Sequence, residues 1–157
     1  MNEMKQATRA VRVFDCRAAR VVPASPADVF RALSDPQQML AWWGKTEKAS
    51  LISCDLDVRY GGQFRLVIRN AAGAEDAVSG AYYEVDPPYR LAFTWSSEKP
   101  SDEVVDTRVT IELLDLKDGT TRVVLTQQGL PAPHVVSVYS AGWHDMLQNI
   151  GMHFAAA

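Results

Sequence analysis

The run from Gly61 to Trp95, GGQFRLVIRNAAGAEDAVSGAYYEVDPPYRLAFTW, constrains the fold more than any other part of the chain, because it reads as three consecutive antiparallel strands sharing one packed face. Phe64, Leu66 and Ile68 alternate with Arg65, Val67 and Arg69, the period-two pattern of a strand with one packed and one mostly wet side. Asn70 to Gly73 supplies turn chemistry, since Asn and Gly tolerate the positive φ of a tight reversal. A second strand is predicted from Ala77 to Val85, ended at Asp86-Pro87-Pro88, where two successive residues lack an N–H donor for the ladder. The third, Arg90 to Ser96, puts Leu91, Phe93 and Trp95 on one face. Burying each such side chain stabilises by roughly 1.5–3 kcal/mol before entropy is subtracted, so this face needs a cover.

The C-terminal segment provides it. Val135, Val136, Tyr139, Trp143, Met146, Leu147, Ile150 and Phe154 recur at three- and four-residue steps. Pro131 and Pro133 stop the preceding strand and start a helix from about His134 to Phe154, about 30 Å long at 1.5 Å per residue. Gly142 and Gly151 each weaken its interior by roughly 1 kcal/mol relative to Ala. That cost is expected where the backbone nears a strand or leaves room for something else; a tolerated surface glycine is the alternative.

Caps and breakers place the remaining elements. Cys16 to Val22 reads as a first strand, and Ser25-Pro26-Ala27-Asp28 as a helix start whose buried stripe is Val29, Phe30 and Leu33. Asp35-Pro36 opens a second short helix carrying Met39, Leu40, Trp42 and Trp43, with Gly44 as its stop. Ala49 to Val58, Thr107 to Leu116 and Thr121 to Gln128 complete the strands, the last two joined by a hairpin turn at Lys117-Asp118-Gly119. The Gly61-Gly62 pair is expected to form a bend or bulge that curls the sheet. Glu98 to Asp106, charged and containing Pro100, is the most mobile-looking loop.

At 157 residues the chain fits one domain with a full core and no need of a metal or disulfide staple. Residues 1–13 read as a frayed arm and 14–157 as the domain. A net charge of −3 gives no reason to expect nucleic acid, whose backbone asks for clustered Lys and Arg. Arg65, Arg69 and Arg108 read as solvated charges on the sheet face. Met1 to Val11 has no apolar core of a secretory signal, and no stretch approaches the ~20 apolar residues of a membrane span, so no membrane partner is expected. Cys16 and Cys54 are not in a CxxC arrangement, which makes a reduced cytoplasmic protein the default; they fall on strands that could be neighbours, leaving a disulfide open. Monomer and homodimer are both compatible with the sequence.

The residues offer little catalytic machinery. His134, His144 and His153 are spaced ten and nine apart, matching neither a helical metal pair nor HExxH, so no metal is expected. His144 and Asp145 are sequence neighbours and point in different directions. No GxSxG elbow occurs, and Gly61-Gly62 enters a strand, not the helix that a phosphate loop needs. Glu84 reads as a structural hydrogen-bond acceptor. No catalytic residue and no cofactor is assigned.

The order of one strand, two helices, six strands and a long helix, with ADVFRALSDPQQMLAWWG, VRYGGQFRLVIR, SGAYYEVDPPYRLAFTW, VVLTQQGLP and GWHDML in sequence, resembles the START-related (SRPBCC) superfamily. Within it the chain is similar, from about Ala18 to Phe154, to homologues of the activator of the heat-shock-protein-90 ATPase. The resemblance implies an α+β helix-grip fold: a curved antiparallel sheet of six to seven strands wrapped around the long C-terminal helix, with two short helices between strands one and two. It also implies a cavity between sheet and helix that relatives use for lipids, steroids, polyketides or aromatic metabolites. Periodicity aims Trp42, Trp43, Phe64, Leu66, Tyr82, Phe93, Trp95, Gln127, Tyr139, Trp143, Met146, Leu147 and Ile150 at that space. Aromatic walls with a few polar tips suit an apolar or aromatic small molecule, although apolar stripes at element period are normally packing. Tyr82 and Gln127 stand out, because a polar atom aimed inward costs about 1–3 kcal/mol if it finds no partner. Three functions follow: small-molecule binding, a cyclase- or hydrolase-like reaction in the same cavity, or a co-chaperone role. The family name describes larger eukaryotic proteins with an additional N-terminal domain that has no counterpart here, so no stimulation of the chaperone is expected.

Overall fold

The computed structural model describes residues 12–43 and 49–156. The arm expected over residues 1–13 lies outside these apart from Arg12 and Val13, and the Gly44 stop lies outside them altogether. Strands β1 (Phe14–Val22), β2 (Ala49–Leu56), β3 (Gln63–Asn70), β4 (Glu75–Asp86), β5 (Arg90–Ser97), β6 (Thr107–Asp115) and β7 (Thr121–Leu130) form one antiparallel sheet. Helices α1 (Pro26–Ser34) and α2 (Pro36–Trp43) separate β1 from β2, and α3 (Pro133–Ala155) closes the chain. The expected helix-grip arrangement is what forms.

Sheet order is β1-β7-β6-β5-β4-β3-β2, so the first two strands in sequence are the two edges. The helical pair carries the chain from one edge to the other. Ser25 caps α1 by accepting from the Asp28 N–H at 3.2 Å, and Asp35 accepts from the Gln37 N–H at 3.0 Å where α2 begins. The Trp42 indole donates to the Ala32 carbonyl at 2.9 Å, tying the second helix to the first.

This topology corrects the pairing considered for the cysteines. Cys16 lies on β1 and Cys54 on β2, at opposite edges, and both are free thiols. Burial pushes both up in pKa, Cys54 to about 11, with Asp55 and Asp35 adding to the rise. The glycine pair lies between β2 and β3 and bonds Tyr82 of β4, beside the irregularity at Tyr82/Glu84. Gly61, at φ +80°, makes the turn between β2 and β3, while the ladder irregularities fall at Phe14/Cys16, Leu51/Ser53 and Tyr82/Glu84. Close approaches occur at Gly62, where a Cβ would lie 1.9 Å from the Asp57 carbonyl oxygen, and at Gly80, where it would lie 1.8 Å from the Thr94 carbonyl oxygen and 2.7 Å from the Phe64 ring. The loop after β5 is pinned: Val104 is buried, Ser97 donates to Asp102 at 2.6 Å, and the Asp106 N–H donates to Ser96 at 2.8 Å.

The arginines singled out on the sheet face are mostly paired. Arg65 bonds Glu98 and Arg69 bonds Glu75, each at 2.9 Å, and Arg108 lies over the Tyr83 ring at 5.8 Å. Glu84 accepts from Arg90 at 2.6 Å, the structural role expected of it. Such exposed pairs are screened by solvent and contribute little to stability. Stability comes from the inner face, where Phe64, Leu66, Leu91, Phe93 and Trp95 meet Trp143, Met146, Leu147 and Ile150 of α3. The helix leans chiefly on β1, with lesser contact to β7 and α2. Gly151 faces β1 at this contact, the place of a Cβ lying 2.8 Å from Arg20 Nε. Because the helix rests toward one edge, the β2–β3 side of the sheet is less covered.

Candidate functional site: an aromatic cleft beside the C-terminal helix

On that less covered side lies a cleft of about 440 Å³. Its floor is Trp95 of β5 and Ile68 of β3, with Ala49 of β2 and Trp43 of α2 at one side. The α3 wall consists of Val138, Tyr139, Gly142, Trp143, Asp145, Met146, Gln148, Asn149 and Met152. Val138 and Met152 stand at the rim, 69% and 59% exposed, whereas Trp95, Trp143 and Met146 are buried in the wall. No atom approaches within 4 Å of a Cβ placed on Gly142, so this glycine faces open space. A separate void of about 40 Å³ sits deeper, among Trp42, Phe64, Leu66, Tyr82 and Phe93, with room for about one water.

The aromatic groups are held in place by contacts between elements. Trp95 and Trp143 meet edge to face at 4.9 Å between ring centroids, and Tyr139 lies 6.4 Å from each. The Trp143 indole donates to Gln127 Oε1 at 2.8 Å, Gln127 Nε2 donates to the Thr107 hydroxyl at 3.0 Å, and that hydroxyl donates to the Trp95 carbonyl at 2.7 Å. The Trp95 indole in turn donates to the Tyr139 hydroxyl at 3.2 Å. One polar chain therefore links α3, β7, β6 and β5 and fixes both indoles, with Gln127 and Thr107 themselves buried. Burial raises the pKa of Tyr139, opposed by the Trp95 N–H, and raises that of Tyr82 further.

Residues 23–155 match the family described as Activator of Hsp90 ATPase homolog 1-like protein. The chain belongs to that family. No curated protein matches it. Among solved structures, a Chromobacterium violaceum protein is 28% identical, with a TM-score of 0.74 over 89% of this chain and 96% of that one. An AHSA1 protein from Silicibacter pomeroyi is 24% identical, with a TM-score of 0.74 over 91% and 99%. An HSP90 activator from Plasmodium falciparum is 21% identical, with a TM-score of 0.70 over 90% and 96%. The latter two likenesses are of fold.

In this Hsp90-activator-like chain the residues aimed at one cavity divide into three groups. Trp43, Trp95, Tyr139, Trp143 and Met146 line the cleft. Trp42, Phe64, Leu66, Tyr82 and Phe93 surround the small inner void, which Trp43, Trp95, Trp143 and Met146 also touch. Gln127, Leu147 and Ile150 line neither and are buried in the core. The inward amide of Gln127 already has protein partners on both its oxygen and its nitrogen. Sequence reasoning missed Ala49, Ile68, Val138, Asp145, Gln148, Asn149 and Met152, and marked Gly142 only as a place where the helix could leave room. A signal was present, for Val138, Gly142, Asp145, Asn149 and Met152 form a second stripe at four- and three-residue steps beside the buried one. Its mixture of glycine, amide and large apolar residues obscured it. Among the described residues no group of three or more His, Cys, Asp or Glu side chains could hold a metal, and no helix is long and apolar enough to cross a membrane. His144 is exposed, with Nδ1 2.7 Å from the Ser140 carbonyl oxygen.

Proposed function

We propose that this family member binds an apolar small molecule containing an aromatic ring, in the cleft between α3 and the β2–β3 side of the sheet, with residues 14–157 acting as one binding unit. The observation that carries this reading is the cleft of about 440 Å³ walled by Trp43, Trp95, Tyr139 and Trp143. Small-molecule sites typically measure about 300–1,000 Å³ and combine apolar walls with a few placed polar groups. Rigid aromatic rings supply contact area at low entropic cost, and the polar chain behind them keeps the indoles in position without help from a ligand. The rim residues Val138 and Met152 would lose exposed apolar surface on binding, which contributes about 25 cal/mol per Å².

An NMR titration with naphthalene tests the reading. The indole N–H signals of Trp43, Trp95 and Trp143 and the amides of residues 138–152 should shift in a saturable way. Shifts absent there, or confined to another surface, would count against binding in the cleft. An ATPase assay with Hsp90 checks the co-chaperone reading that the family description offers, and no stimulation is expected.

A further inference from the structure

The Tyr139 hydroxyl oxygen accepts a hydrogen bond from Trp95 Nε1 at 3.2 Å. A phenol carries one O–H donor besides its lone pairs, so this contact leaves the proton to be given elsewhere. Among the described residues it has no acceptor. The Trp95 carbonyl takes the Thr107 hydroxyl, and Gln127 Oε1 takes the Trp143 indole. In the cleft Tyr139 meets the rings of Trp95 and Trp143, and Ile68 and Met146 line the same space. The polar side chains of the α3 lining, Asp145, Gln148 and Asn149, stand about 9–15 Å farther along the helix at 1.5 Å per residue. Tyr139 thus holds a directed donor beside the Trp95 and Trp143 rings.

We propose that the cleft selects ring compounds carrying a hydrogen-bond acceptor, such as a carbonyl or ether oxygen, at the ring's edge, with Tyr139 donating to it. This rests on the binding reading above and adds the polarity of the guest. A purely hydrocarbon guest would cover the phenol and leave its proton without an acceptor, whereas a carbonyl would take it. Burial holds the phenol protonated above the usual tyrosine range, so the donor persists at neutral and mildly alkaline pH.

The test compares 2-acetylnaphthalene with 2-ethylnaphthalene, which differ chiefly in the carbonyl, by isothermal titration calorimetry on the wild type and on Tyr139→Phe. The affinity ratio of ketone to hydrocarbon should fall about five-fold in the variant, the size of one net hydrogen bond. An infrared spectrum of the bound ketone on the wild type gives a second readout, with the carbonyl stretch at lower wavenumber than in hexane. An unchanged ratio, or a stretch equal to that in hexane, would overturn the assignment of Tyr139 while binding of both compounds still supported the cleft. Failure of both compounds to bind would overturn the binding reading and this inference with it.

Discussion

Gly142 stands in the middle of α3, lines the cleft, and has nothing within 4 Å of the place a Cβ would take. In a helix interior glycine is about 1 kcal/mol less favourable than alanine, and a compatible Gly→Ala change stabilises by about 0.4–1 kcal/mol. With no clash to subtract, Gly142→Ala should raise stability by about 0.5–1 kcal/mol, which for a chain of this size moves Tm up by about 1–4 °C. Gly142→Leu keeps most of the helix benefit, because leucine is nearly as good a helix former, but projects its side chain into the cleft. Urea unfolding followed by circular dichroism should show both variants at least as stable as the wild type. Calorimetric titration with 2-acetylnaphthalene should show the leucine variant weakened by about ten-fold or more, the effect of overfilling the site. Gly151→Ala is the internal comparison: its Cβ would come 2.8 Å from Arg20 Nε, so the guanidinium must swing aside and the benefit should be smaller. A destabilised Gly142→Ala would show that the glycine serves the helix backbone. A Gly142→Leu protein that binds as tightly as the wild type would show that the ligand sits elsewhere.

Three further outcomes follow from the packing. Gly80→Ala drives a Cβ into the Thr94 carbonyl oxygen and the Phe64 ring and should cost about 2–3 kcal/mol or more, read as a lower urea midpoint; a neutral result would mean that β4 and β5 separate freely there. Gln127→Leu leaves the buried Trp143 indole N–H without its acceptor and should cost about 1–3 kcal/mol by the same measurement, with no loss meaning that the indole finds another partner. Burial raises the Tyr82 pKa above its ordinary value of 10, so the folded chain holds a proton that the unfolded chain releases. That contribution is complete below about pH 10 and is lost as pH rises above it. Tyr82→Phe should therefore show a shallower alkaline decline than the wild type in urea unfolding at a series of pH values, and an unchanged decline would refute the assignment.

Strand alternation, proline breaks and Ser or Asp caps are local signals, and each element predicted from them forms with boundaries shifted by at most a few residues. What local signals could not carry was lateral placement. Nothing in the period of α3 says that it leans on β1, because the stripe of Tyr139, Trp143, Met146 and Ile150 would look the same over any strand. The lean puts Leu147 and Ile150 in the core and Val138, Gly142, Asn149 and Met152 along the cleft. The same limitation affected Cys16 and Cys54, since strand order is a property of the whole sheet. Gln127 was correctly aimed inward, but its partners come from three separate elements, and sequence spacing could not reveal that they satisfy it.

The grouping of the indoles has a practical consequence. Of the chain's four tryptophans, Trp43, Trp95 and Trp143 border the cleft and Trp42 stacks on Trp43 at 5.6 Å. All four indoles therefore lie at or beside one small volume, and the molecule carries its own optical gauge of occupancy. Changes in ultraviolet emission can be followed across a metabolite library without attaching a dye, so the search for the natural guest can begin with the unlabelled protein.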